Sequence, residues 1–104
     1  MKPMTTEWLA KAEGDFAMMM RESRARKNPS YDGICFHAQQ CAEKYLKALL
    51  EELGLAIPRT HILKDLLALL VPHHPKLASL RIALMLLTRF AVGTRYPGDR
   101  ATKR

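Results

Sequence analysis

Apolar residues recur along this chain at steps of three and four, and the runs they form are separated by proline and glycine. Trp8, Ala12, Phe16, Met19 and Met20 mark a first helix, capped by Thr5 or Thr6 with Glu7 in its first turn and reaching about residue 26. The stretch KNPSYDG then breaks it, because Pro29 restricts Asn28 and Gly33 offers a flexible turn. From Tyr31 or Asp32 to Leu53 runs the longest amphipathic segment, in which Cys35, Ala38, Ala42, Tyr45, Leu46 and Leu49 line one side. Gly54 stands where a helix end favours a residue able to take positive φ.

Pro58 extends the chain beyond it, and Thr60 is placed to cap a third, short helix whose Leu63, Leu66, Leu67 and Leu70 form a stripe ended by Pro72. After the turn His73-His74-Pro75, a fourth helix runs from Lys76 to Ala91 with Leu77, Leu80, Leu84, Leu87 and Ala91 on one side, and Gly93 ends it. The expected fold is therefore all-α, an up-and-down bundle of four main helices in one domain spanning residues 1–104. Ile82, Met85, Leu86 and Phe90 spread apolar surface on the fourth helix beyond its main stripe. Such a helix needs a second cover, from the chain itself or from a second copy.

Composition agrees with a folded, helix-rich chain: 48% of residues are hydrophobic, 26% charged and only 7% aromatic. Charge changes the picture more. The formal +7 favours phosphate polyanions, anionic membranes or an acidic partner. It is concentrated at Arg21, Arg24, Arg26 and Lys27, and again at Arg95, Arg100, Lys103 and Arg104. The first group also suits the C-terminal dipole of its helix. Cys35 and Cys41, six apart on one helix, point to different faces and are expected as reduced thiols, which suits a cytoplasmic protein. No signal peptide is evident and no apolar run approaches the roughly 20 residues of a membrane span, so no membrane partner is expected.

Trp8 with Ala12, Glu13 and Asp15, then CFHAQQCAEKYLKALL from Cys35 to Leu50, Pro58-Arg59-Thr60-His61 with Leu63, and Arg95-Tyr96-Pro97 together resemble the HEPN family, small nucleotide-binding helical domains. The likeness spans nearly the whole chain and points to the type associated with a minimal nucleotidyltransferase. It implies a homodimeric helical bundle, a nucleotidyltransferase-type protein partner, RNA or nucleotide as ligand, and a place in a toxin-antitoxin-like pair. Many members are metal-independent ribonucleases bearing an Arg followed four to six residues later by His. An imidazole there moves the proton of an attacking 2′-hydroxyl while a guanidinium steadies charge on the phosphate. In this chain no Arg stands at that spacing before His37, His61, His73 or His74, and no His follows Arg95. Relatives generally carry one more helix after Arg-Tyr-Pro, where this chain has GDRATKR, so the family's last helix is expected to be lacking.

Candidate sites follow. The resemblance implies core or dimer-contact positions for Phe36, Gln40 and Glu43, against the plainer reading of Gln39, Gln40, Glu43, Lys44 and Lys47 as a solvated face with an i,i+4 pair at Glu43 and Lys47. Arg59, His61, Arg95 and Tyr96 are the candidates for RNA or nucleotide contact. His61, at the start of the third helix, would offer an N–H to phosphate beside the backbone amides, with Arg59 adding charge. A relocated catalytic set would draw on His37, His61 and Arg95 or Arg59. Neither a metal nor another cofactor is expected: His73 and His74 are adjacent and point apart, with no ligand spacing nearby. The two other function classes are the ribonuclease toxin with a non-standard site and a purely structural adaptor.

Overall fold

A computed structural model describes residues 1–24 and 31–93. Four α-helices and no strand occur among the described residues: α1 over Pro3–Ser23, α2 over Tyr31–Glu52, α3 over Leu63–Leu70 and α4 over Arg81–Gly93. A 3-10 turn over Pro75–Leu80 leads into α4. The all-α expectation holds. Arg26, Lys27, Pro29, the Arg95-Tyr96-Pro97 segment and the basic tail lie outside the described residues, as do the side chains of Phe90 and Ala91.

Several helix ends differ from the expectation. Pro3 opens α1, its fixed φ suiting the first turn and its missing N–H costing no helical bond. Thr5 therefore sits inside the helix, buried, rather than capping it. At the far end of α2, Leu55 N–H donates to the Leu50 carbonyl and Gly54 N–H to that of Glu51, with Gly54 at φ 72°. These two bonds close the helix as a glycine cap, as its sequence position suggests. Thr60 does not cap α3. Its Oγ1 accepts from the Ile62 N–H at 3.1 Å, a local turn, and the helix begins two residues later than the cap position implied.

α2 is the central helix. α1 packs along one side of it, while α3 and α4 meet its other side and each other; among the described residues α1 touches neither α3 nor α4. The apolar core is on the α3 and α4 side, where Leu46 and Leu50 close over Leu63, Leu66, Leu67 and Leu70. Each such leucine contributes about 1.5–3 kcal/mol on burial. The α1 side is held differently. Ala12 is the one fully buried apolar residue of α1 among those described, and Lys2 fastens the beginning of α1 to the end of α2 through its N–H to Glu52 Oε1 at 3.0 Å and its Nζ to the Glu51 carbonyl at 3.1 Å. On α4, Leu84 and Leu87 lean on the core while Ile82, Met85 and Leu86 stay exposed, Ile82 at 72%.

Candidate functional site

Gln39, Glu43 and Lys47 are spaced by four and lie on one stripe of α2, next to Leu46 and Leu50 of the core face. All three are buried, which overturns the solvated-face reading for these residues. The physical reason is placement: the α2 stripe that meets α3 continues through 39 and 43, not through Cys35 and Tyr45. Tyr45, expected on the core side, is 41% exposed, and Cys35 is half-buried.

Burying these polar groups is tolerated because most of them find partners, the Gln39 Oε1 being the exception. Lys47 Nζ donates to Glu43 Oε2 at 3.0 Å and lies 5.7 Å from the centre of the Trp8 ring, so α1 covers the pair. Both Glu43 oxygens lie 3.0 Å from His61 Nδ1. Gln39 Nε2 donates to the His61 backbone carbonyl at 2.9 Å. The result is a chain of contacts from α2 to the segment before α3. Its inner members are buried and its outer member is not: the Glu43 side chain is 5% exposed, that of His61 74%. Arg59, two residues earlier, is exposed on the same segment.

A second carboxylate ties α1 to α2. Asp15 Oδ1 is 3.0 Å from His37 Nδ1, and Asp15 Oδ2 accepts from Lys44 Nζ at 2.5 Å. Burial pushes the Asp15 carboxyl up, but the hydrogen bonds from Lys44 and His37 and the charges of the two groups outweigh it and hold it below its ordinary value. The Cys41 thiol is pushed up by burial first and then by Asp15, with Lys44 opposing; the Cys35 thiol is pushed up by burial and then by Asp32. Such thiols are poor nucleophiles.

The two carboxylate clusters place the sequence candidates unequally. Glu43 and His61 come together in one, and His37 falls in the other with Phe36 edge-on to its ring at 5.3 Å. Gln40 is half-buried and Phe36 exposed. Arg95 and Tyr96 lie outside the described residues. His73 and His74 are exposed, with both N–H groups on the Leu70 carbonyl. Among the described residues no group of three or more His, Cys, Asp or Glu is arranged to hold a metal ion.

Asp15, Gln39 and Lys47 were not among the candidate site residues. The spacing of Gln39, Glu43, Leu46 and Leu50 was a usable signal, since it runs along one helical stripe into two leucines. Asp15 stands among the residues that carry the resemblance, but spacing offers no sign of its contacts, because its partners lie 22 and 29 residues away. No helix among the described residues is long and apolar enough to cross a membrane. Compared with known proteins, residues 5–104 match the model of one family, described as the HEPN domain. Neither a curated protein nor a solved structure matches.

Proposed function

The chain belongs to the HEPN domain family, whose nucleotide- and RNA-related character is its general function, and from that premise we propose that it binds RNA or nucleotide through the segment that carries Arg59 and His61. The observation that carries this reading is the His61 imidazole: its ring is exposed while one nitrogen is tied to a buried carboxylate, and Arg59, two residues earlier, is exposed as well. A purely solvated histidine does not require a buried acid and a buried lysine behind it. The formal charge of +7 supports a polyanionic ligand. Arg95 and Tyr96 extend the same reading, a guanidinium for phosphate and an aromatic ring for a base.

In this reading the protein works in the cytoplasm as one half of a toxin-antitoxin-like pair, with a minimal nucleotidyltransferase as its protein partner and a second copy of itself across the apolar face of α4. The exposure of Ile82, Met85 and Leu86 supports the second copy. The test is incubation with labelled RNA in excess chelator, resolved on native and denaturing gels, beside Arg59→Ala and Arg95→Ala. A saturable shift weakened in these variants is the expected result. Cleavage in chelator, lost with His61→Ala, would make the protein a metal-independent ribonuclease instead. Absence of both binding and cleavage would reject the nucleic-acid reading and leave the adaptor.

A further inference from the structure

A groove of about 470 Å³ lies between α3 and the segment that turns into α4, and neither Glu43 nor His61 lines it. That volume is in the range of small-molecule sites. Leu67, buried in the core, closes its floor, and Val71 carries the apolar lining to the end of α3. Ala68 on α3 and Ala78 in the 3-10 turn line it with single methyl groups, which is why a gap persists where longer side chains would meet. The groove also has a charged part. Lys64 and Asp65 line it from the first turn of α3, about 10 Å along the helix from Val71, and Arg81 lines it from the start of α4. All three are exposed, and among the described residues neither cation has an ion pair.

We propose that this groove binds a small amphipathic monocarboxylate, with its head held by Lys64 and Arg81 and its apolar body lying over Leu67 between Ala68 and Ala78. Charge selects the head. Two cations beside one acid leave a single positive charge, which matches a monoanion and not the several charges of a phosphate polymer. A guanidinium fork also fits the two oxygens of a carboxylate. Length selects the body, because some 10 Å of apolar wall suits a short chain carrying one head. The chain's own basic end is a poor occupant: Arg95, Arg100, Lys103 and Arg104 stand there against Asp99, so it would bring like charge to Lys64 and Arg81.

The experiment titrates the full chain with hexanoate, octanoate and decanoate below their aggregation limits, with octanol and octylammonium as charge controls, and follows backbone and methyl resonances. Saturable shifts are expected at Ala68 and Ala78, with Kd falling by about twofold to fourfold for each added methylene. Octylammonium should bind more weakly than octanoate. Arg81→Gln should weaken octanoate by about twofold to fivefold and leave octanol unchanged, while Asp65→Asn should tighten octanoate alone. Ala68→Leu, at an exposed helical position that accepts leucine, should fill the groove and abolish the shifts at Ala78. Ile82→Ala, on the exposed apolar face of α4 outside the groove, should leave binding as it was. Octanol bound as tightly as octanoate would overturn the carboxylate head. Binding that survives Ala68→Leu, or shifts centred on Ile82, Met85 and Leu86, would overturn the groove as the site. Failure of all three carboxylates to bind saturably, with or without binding of an acidic peptide, would overturn the proposal outright.

Discussion

Replacing Lys47 with Met keeps most of the aliphatic stem and removes only the ammonium, leaving Glu43 buried with His61 as its remaining partner. The pair to be broken is 3.0 Å long, with side chains 8% and 5% exposed. Breaking a buried ion pair from one side costs about 3–5 kcal/mol, because the remaining charge keeps its desolvation penalty. Loss of the ammonium 5.7 Å from the Trp8 ring adds about 0.5–1 kcal/mol. The His61 contact survives and offsets part of this, so Lys47→Met should destabilise the chain by about 3 kcal/mol. With a urea slope of about 1–3 kcal/mol per molar, the unfolding midpoint should fall by about 1–3 M. The double variant Glu43→Gln with Lys47→Met, in which no charge is stranded, should be more stable than Lys47→Met alone. A loss below about 0.5 kcal/mol in the single variant, the scale of a solvated i,i+4 pair, would refute the burial of this pair and the reasoning built on it.

Asp15→Asn should cost about 1–2 kcal/mol at neutral pH, the scale of a charge-assisted hydrogen bond reduced for partial exposure. Because the folded Asp15 carboxyl lies below its ordinary 3.8, its contribution is fully present above that value and is lost as pH falls through the lower, folded one. The gap between wild type and variant should close in acid; a gap that stays constant into the most acidic buffers would contradict the assignment. Native Cys41 and Cys35 should react with a thiol reagent at pH 8 at least about tenfold more slowly than in urea, and equal rates would contradict their shielding. In dilute protein, Leu66→Ala should cost about 2–5 kcal/mol and Ile82→Ala less than about 0.5 kcal/mol, read from urea unfolding; comparable losses would misplace the core.

How legible the molecule was depends on the range of the interactions concerned. The four helices follow from contacts three and four residues apart, and the cap at Gly54 from local backbone geometry. α3 starts two residues beyond the position a Thr60 cap implies, because Thr60 has a competing local use for its hydroxyl, the bond from the Ile62 N–H. His61 and Glu43 were each visible as candidates, but 18 residues separate them and nothing in their spacing joined the two.

The sequence by itself determined the helices, their order and the leucine face of α3, because these depend on periodicity and on proline and glycine, whose effects are local. Only the tertiary structure decided which polar residues of α2 are inside. An amphipathic helix carries more than one face that can be covered, and its coverage depends on where α1 and α3 settle around it. That choice placed Gln39, Glu43 and Lys47 in the interior and gave an exposed histidine a buried carboxylate. The two charges answer one another within α2, but the groups that cover and complete the pair, Trp8 on one side and His61 on the other, are distant in sequence and meet it only when the helices have packed.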